Sequence, residues 1–449
     1  MNYVPNTDAD REQMLAAVGV EVAADLFQGI PSAMRDPQLR LPEALSELEL
    51  YQLMADMAAR NADVRRHPCF LGAGAYHHFV PAVVGRVLGR SEFYTSYTPY
   101  QPEISQGTLQ SIFEFQTLIC RLTEMDVSNA SLYDGASATA EAVVLALSAT
   151  RRHKVVLAET AHPEYRTVLR TFTRELGLEY AECGRRPGGG RLDPACVRGA
   201  VDEDAACVIV QQPNFFGCLE DVDALREAAQ AAGALFVVAY DPISLGLLRP
   251  PGRYGADVAV AEGQPLGIPL GFGGPYLGLF SCREKYLRQM PGRLVGETID
   301  NRGQRGYVLT LQAREQHIRR EKATSNICTN QALMALAATV YLSYMGPSGL
   351  RRVAELCTQK AHYAAERIAS VPGFALAHAE PFFKEFVVRC PRPSAAVNAA
   401  LWEEGIIGGY ELGRDYPELD DCLLFCVTEM NTKADIDRLV RVLAKEGGR

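Results

Sequence analysis

The chain has 449 residues, of which 48% are hydrophobic and 22% are charged, and its formal net charge is −9. The length predicts two domains, or one large domain with a smaller one, and the composition is typical of a globular protein. An acidic chain does not favour binding to nucleic acid or to an anionic membrane, because both require a basic protein surface.

The cysteines and the first residues predict a soluble protein of the cytoplasm. Twelve cysteines are scattered without a CxxC pair, and with eight histidines they show no zinc-ligand spacing. We therefore expect reduced thiols and no metal site. The first residues, MNYVPNTDADREQ, lack the regions of a signal peptide, and no apolar run reaches membrane-spanning length.

Residues 1–70 predict an arm made of helical and extended pieces. Thr7 with Asp10, and Ser46 with Glu49, are capping-box patterns that begin helices. The second helix has a continuous apolar face at helical spacing. We expect this arm to wrap around another surface rather than to form a domain of its own.

The core of the chain alternates apolar strands with helices. The predicted strands cover residues 154–159, 178–183, 205–214, 234–241, 256–263 and 276–282. This alternation predicts a mainly parallel sheet with helices on both faces. Gly346-Pro347 ends a helix, so we expect a large domain over 71–346 and a small α+β domain over 347–449.

The stretch from Ala239 to Gly278 has the layout of a pyridoxal-phosphate (PLP) site. One strand ends in Asp241, which would hold a pyridinium nitrogen, and a second strand leads to the glycine-rich turn GFGGPYLG. A lysine that carries the cofactor as an imine would follow the second strand. None of the seven lysines lies between 155 and 284, and the expected position holds Gln264, whose amide cannot form an imine.

Two further residues match parts of such a pocket, each with a simpler alternative. Ser137 lies in a turn that begins an alanine-rich helix, where a helix N-terminus would hold a phosphate, although an ordinary helix cap explains it equally. His162 follows the first strand, where a ring would stack on a pyridine, and the alternative is a structural histidine.

Two loops carry polar side chains outside this pocket. Residues 91–107, SEFYTSYTPYQPEISQG, predict a stiff loop because of their prolines, and they serve either as a binding loop or as a packed connector. Residues 314–331 combine basic side chains with Thr324 and Ser325. That mixture suits an anion such as phosphate, and the alternative is a solvated basic patch.

Three segments together resemble one family: the run beginning YTPYQPEISQG, the run HIRREKATSNICTNQ, and GIPLGFGGPYLG. The family is glycine dehydrogenase (decarboxylating), the P-protein of the glycine cleavage system. The resemblance covers nearly the whole chain, whose length equals one half of the family's sequence. The chain is similar to the first half of the family's sequence. In some members of the family this half is a separate subunit, called subunit 1 or α.

The resemblance implies a fold, a reaction and partners. The fold is that of type I PLP-dependent transferases, which are aspartate aminotransferase-like: a mainly parallel seven-stranded sheet between helices, plus a small α+β C-terminal domain. The family decarboxylates glycine and passes the aminomethyl group to the lipoyl arm of the H-protein. The second subunit (β) would carry PLP, with none bound covalently to this chain. Both αβ and α2β2 assemblies fit the sequence, and we expect α2β2.

The resemblance also suggests which residues serve the reaction. Tyr97, Tyr100, Gln101 and Glu103 would line the glycine pocket of the partner, and Thr324 and Ser325 would bind its PLP phosphate. Ser137, His162, Asp241 and Gln264 would form a vestigial pocket, partly filled by larger side chains.

Two other functions remain open from the sequence. One is an independent PLP-dependent amino-acid decarboxylase with a displaced lysine, for which Lys285 is the nearest in sequence. The other is a purely structural or regulatory subunit without a catalytic contribution.

Overall fold

In the computed structural model, residues 5–35 and 37–447 are described, and the chain divides into two compact units that meet between Ala62 and Asp63. The first unit contains helices α1 (Asp8–Val18) and α2 (Glu47–Ala59), with short 3-10 turns between them. Both predicted capping boxes are present, because Thr7 and Ser46 cap the two helices with Asp10 and Glu49.

The first unit leaves its apolar side chains in solvent. Neither of its helices has a buried residue, and large apolar residues stay exposed, among them Leu41, Leu48 and Tyr51. Exposed apolar surface on this scale is typical of a segment that packs against another protein surface.

The second unit is built on a seven-stranded sheet in the order β1-β7-β6-β5-β4-β2-β3. Strands β2 to β6 run parallel, whereas β7 and β1 are antiparallel to their neighbours, so the predicted mainly parallel sheet is confirmed. The strands are β1 (Val127–Ser128), β2 (Lys154–Ala158), β3 (Glu179–Cys183), β4 (Ala205–Gln212), β5 (Leu235–Tyr240), β6 (Val258–Glu262) and β7 (Gly278–Cys282).

Helices cover both faces of this sheet because alternate strand residues point to opposite sides. Val208 and Val210 of β4 belong to one core cluster, and Cys207 and Ile209 belong to the other. The helices are α3 (Ala82–Leu88), α4 (Ser91–Tyr94), α5 (Gln106–Thr123), α6 (Gly135–Thr150), α7 (Pro163–Thr173), α8 (Pro194–Ala200), α9 (Val222–Ala231), α10 (Gln316–Arg319) and α11 (Ala332–Ala369).

A smaller antiparallel sheet lies in the C-terminal part, in the order β10-β11-β13-β12. Helix α11 leads to it and is broken at Gly346, where the backbone leaves helical geometry next to Pro347, as predicted. The elements are β10 (Ala375–Leu376), β11 (Glu385–Arg389), α12 (Ser394–Glu403), β12 (Tyr410–Glu411), β13 (Cys422–Cys426) and α13 (Lys433–Gly447).

The structure adds a hairpin that the apolar pattern does not predict. Strands β8 (Leu294–Ile299) and β9 (Arg305–Thr310) pair antiparallel beside α5. The outer end of this hairpin is exposed, so its sequence has no long apolar run. In α5 itself Phe115 is buried, and Phe113 is partly covered by its contact with Tyr307 of β9.

Candidate functional site

The residues of the predicted pocket meet at the carboxyl edge of the large sheet. His162 follows β2, Asp241 follows β5 and Gln264 follows β6, and parallel strands bring their carboxyl ends to one edge. His162 and Asp241 line a cavity of about 40 Å³, together with Tyr76 and Lys384. A cavity of this volume holds water molecules but not a pyridine ring with its phosphate.

The carboxylate of Asp241 forms an ion pair with a lysine of this same chain. The Nζ atom of Lys384 lies 2.6 Å from Oδ2 of Asp241, and the Lys384 side chain is 1% exposed. The other carboxylate oxygen accepts the backbone N–H of Ile243 at 2.9 Å. The residue that would hold a pyridinium nitrogen is therefore already paired with a cation.

The Lys384 ammonium is held by aromatic and polar neighbours. Its Nζ lies 3.4 Å from the ring centroid of Tyr76 and 3.2 Å from Nε2 of His78. Burial acts to lower the pKa of Lys384, but the carboxylate of Asp241 and the neighbouring cysteine side chains together outweigh it, so the pKa lies above its usual value. The side chain is therefore a fixed positive charge rather than a free amine.

Gln264 joins two backbone segments instead of facing a ligand. Its Oε1 accepts the N–H of Tyr76 at 2.9 Å, and its Nε2 donates to the carbonyls of Tyr76 and Ile268 at 2.9 and 2.7 Å. The side chain is fully buried. The amide thus has a structural role at the place where an imine-forming lysine was expected.

The N-terminus of α6, the expected phosphate site, holds a carboxylate. Glu262 at the end of β6 accepts the N–H of Gly135 at 3.0 Å, and it also accepts the N–H groups of Gln264 and Leu277. Ser137 takes part in a capping box with Asp134, so its hydroxyl bonds within the cap. The simpler alternative for Ser137, a helix cap, describes these contacts.

Burial raises the pKa of Glu262 to about 7, although its three backbone donors act in the opposite direction. Negative charge near a helix N-terminus is favourable, which explains why a carboxylate is tolerated there. A phosphate would have to displace this carboxylate or lie beside its negative charge.

The ring of His162 stacks on another side chain of this protein and not on a pyridine ring. Its ring lies face to face with Tyr165 at a centroid distance of 5.0 Å. Nδ1 accepts the N–H of Glu164 and caps α7, and Nε2 lies 2.9 Å from the carbonyl of Ala73. Burial lowers the pKa of His162, which fits a neutral ring that donates from Nε2.

These contacts show that the pocket does not fit PLP. Gln264 cannot form an imine, Asp241 is paired with Lys384, Glu262 occupies the helix N-terminus, and Tyr165 covers His162. A Cβ added at Gly135 would collide with the Tyr165 hydroxyl and lie 2.8 Å from the Glu262 nitrogen. No catalytic step through PLP is therefore assigned to this pocket.

The two polar loops come together at Arg293, which is 4% exposed. Its Nη2 donates to the Tyr100 hydroxyl at 3.0 Å and to the carbonyl of Cys328, and its Nη1 donates to Asn330 at 3.2 Å. The Tyr100 ring also packs edge-on against His317. One buried guanidinium thus links segments that are more than 200 residues apart in sequence.

The predicted loop residues lie on the protein surface around this junction. Tyr97 is 87% exposed and Tyr100 is 50% exposed. Gln101, Glu103 and Thr324 are also exposed. Ser325 is partly covered, and its hydroxyl accepts the N–H of Ile327 at 3.1 Å. The loops are therefore available to a partner, and the cavity that Thr324 and Ser325 line is only about 20 Å³.

Lys285 does not reach the pocket. It pairs with Asp257 at 3.1 Å, and Asp257 directly precedes β6. The pair therefore lies at the amino edge of the sheet, opposite the edge that carries Gln264. The hypothesis of an independent decarboxylase that uses Lys285 has no support from this position.

Sequence reasoning did not identify Lys384, Glu262, Tyr165 and Arg293. One signal was present for Lys384, because the run PFFKEFVVR places a lysine and a glutamate inside an otherwise apolar strand. Charges in such a run are typically paired when they are buried. For the other three residues we find no comparable local signal.

Within residues 5–35 and 37–447, no helix combines the length and the apolar character needed to cross a bilayer.

Residues 1–443 match the family model described as glycine cleavage system P-protein. A protein of Desulfitobacterium hafniense named "Probable glycine dehydrogenase (decarboxylating) subunit 1" is 56% identical over 441 residues, which covers 98% of each chain. Both matches run almost the full length of the sequence, so they concern the whole chain rather than one motif.

Solved structures agree with this match. The crystal structure of the glycine decarboxylase (P-protein) of the glycine cleavage system, in inhibitor-bound form, superposes with a TM-score of 0.92 at 44% identity, covering 99% of this chain and 100% of that one. The sphingosine-1-phosphate lyase of Burkholderia pseudomallei has a TM-score of 0.68 at 16% identity, covering 93% and 94%, and this likeness concerns the fold alone. The predicted type I fold of PLP-dependent enzymes is confirmed, and the chain belongs to the P-protein family of the glycine cleavage system.

Proposed function

We propose that this chain is subunit 1 of a two-subunit glycine dehydrogenase (decarboxylating). With subunit 2, which carries the PLP, it decarboxylates glycine and passes the aminomethyl group to the lipoyl arm of the H-protein. PLP supplies the electron sink for the loss of the carboxylate. One observation carries the assignment of PLP to the partner: this P-protein chain has Gln264 at the lysine position, and Lys384 is paired with Asp241.

In this proposal the chain contributes two loops to the site of the partner. The segment from Tyr94 to Glu103 would bring the Tyr97 and Tyr100 hydroxyls to glycine, and the segment from Ala323 to Cys328 would bring Thr324 and Ser325 to the phosphate. The support is that both segments are largely exposed and that Arg293 holds them side by side. A structure of the complex with both loops more than about 10 Å from the cofactor would exclude this role, since hydrogen bonds need about 3 Å.

The first unit of the chain is proposed to cover the partner. Its exposed apolar residues, among them Leu48 and Tyr51, suit an obligate interface, which typically buries on the order of 2,000 Å² or more. We further propose an α2β2 complex that works in the cytoplasm, for which the twelve free cysteines are consistent support. The mass of the purified complex tests the stoichiometry.

The function is tested by glycine-dependent exchange of labelled bicarbonate in the presence of lipoylated H-protein. Three samples are compared: this chain alone, subunit 2 alone, and both together. Activity only in the mixture is the expected result. Activity from this chain alone would contradict the assignment of PLP to the partner, and equal activity from subunit 2 alone would reduce this chain to a scaffold.

A further inference from the structure

In a PLP site, separate protein groups bind the ring nitrogen, the phosphate and the face of the ring. In this pocket, three side chains of the chain itself contact the corresponding groups. Lys384 pairs with Asp241, the expected partner of the ring nitrogen. Glu262 accepts the N–H at the start of α6, the expected phosphate site. Tyr165 stacks on His162, the expected partner of the ring face.

We propose that Lys384, Glu262 and Tyr165 act as an internal substitute for the cofactor. They close the pocket to PLP and to any other pyridine phosphate. Lys384 also holds the small sheet against the large sheet without a ligand. The pocket is thus a permanent structural clamp rather than an empty site that lacks only its lysine.

The position of Lys384 in the fold explains the clamp. Lys384 directly precedes β11 of the small sheet, whereas Asp241 follows β5 of the large sheet. The next residue, Glu385, accepts the N–H of Ala73 at 2.7 Å and the hydroxyl of Tyr76 at 2.8 Å. The Lys384 ammonium and the Glu385 carboxyl group, at adjacent positions, therefore bind the start of β11 to two segments at the carboxyl edge of the large sheet.

The network continues from Lys384 into α11. His78 Nε2 lies 3.2 Å from Lys384 Nζ, and His78 Nδ1 lies 2.7 Å from a carboxylate oxygen of Glu429, which also accepts the Cys357 thiol. Although ligand atoms of His78, Cys357 and Glu429 lie within 4.8 Å of one another, the adjacent ammonium disfavours a metal cation between them. These contacts add a third element, α11, to the clamp.

The first test measures PLP uptake by the full chain after desalting, and then covalent attachment after borohydride reduction. Three proteins are compared: the unaltered chain, Gln264→Lys, and a multiple variant that combines Gln264→Lys with Lys384→Ala, Glu262→Ala and Tyr165→Ala. We expect retained PLP only in the multiple variant, attached at position 264. Uptake by the unaltered chain or by Gln264→Lys alone would overturn the proposal.

The second test measures hydrogen exchange, so that the proposal does not depend on the folding of the multiple variant. In Lys384→Met the amides of β11 and of residues 73–76 should exchange at least tenfold faster than in the unaltered chain. Lys433→Met is the control, because the Lys433 side chain is exposed and pairs with Asp437 at 2.6 Å on the solvent-facing side of α13. Unchanged protection in Lys384→Met would exclude the clamp. Both tests use this chain alone, so their outcome is independent of the proposed function.

Discussion

The Lys384 ammonium and the Asp241 carboxylate form a buried ion pair, with Nζ 2.6 Å from Oδ2. Lys384 directly precedes strand β11 of the small sheet, and Asp241 directly follows strand β5 of the large sheet. Because the Lys384 side chain is 1% exposed and the Asp241 side chain is 11% exposed, each charge depends mainly on the other, and removal of one leaves a largely uncompensated charge.

Lys384→Met should therefore destabilise the chain by about 3–5 kcal/mol, the usual cost of breaking a buried pair. Adding Asp241→Asn should recover part of the loss, because it removes the unpaired charge. Urea unfolding of both variants and of Asp241→Asn alone gives the coupling between the two residues. Lys433→Met should have a much smaller effect, because Lys433 is exposed and the solvent screens its pair with Asp437. Equal losses for Lys384→Met and Lys433→Met would contradict this account.

Glu262 should make the stability depend on pH. Burial raises its pKa from 4.5 to about 7, so the folded chain binds the extra proton between these values. Its contribution to the free energy of unfolding is full below pH 4.5 and is lost as the pH rises through 7. The unfolding free energy of the unaltered chain minus that of Glu262→Gln should fall by up to about 1.4 kcal/mol per pH unit in this window. A pH-independent difference would show that the carboxylate is not protonated on folding.

Arg293→Lys should loosen both loops without removing the positive charge. Lysine lacks the planar fork with which Arg293 reaches Tyr100, Cys328 and Asn330. We expect kcat/KM of the complex for glycine to fall about tenfold, the equivalent of one lost charged hydrogen bond. Arg283→Lys is a matched control, since Arg283 also donates to backbone carbonyls but at the amino edge of the sheet. Equal effects of the two variants would indicate a general loss of stability.

Tyr97→Phe and Thr324→Val should each lower bicarbonate exchange by the complex about tenfold, if their hydroxyls bond glycine or the phosphate. Both side chains are exposed, so the substitutions should leave folding and assembly intact. Tyr344→Phe is the control, because Tyr344 is also exposed, at 65%, but belongs to α11 and to neither loop. Full activity of Tyr97→Phe and Thr324→Val would favour the purely structural role.

Deletion of residues 1–60 should abolish co-purification with subunit 2, because the apolar surface of the arm would be lost. A milder variant is Leu53→Asp, which puts a charge on the apolar face of α2, and Gln52→Ala on the same helix is its control. Pull-down of tagged subunit 2 measures both. A tight complex that survives the deletion would exclude the arm from the interface.

Much of the architecture follows from local sequence. Apolar runs define β2, β4, β5 and β6, and parallel strands place the residues after them at one edge. The capping boxes at Thr7 and Ser46 are equally local, since all their atoms lie within four residues. The sequence also shows that glutamine stands where the lysine of a PLP site is expected. This inference needs only the identity of one residue, Gln264, shortly after one strand.

Only the tertiary structure decided what occupies the pocket. Lys384 reaches Asp241 from a different sheet, and Arg293 joins two loops that are far apart in sequence. The apolar periodicity of a sequence indicates which side of a helix or strand a residue lies on. It does not indicate which charged residue of another element that side chain contacts. The sequence by itself therefore determined that this P-protein chain cannot bind PLP as an imine at Gln264. The packing of the small sheet on the large one determined that the chain's own charges fill the site.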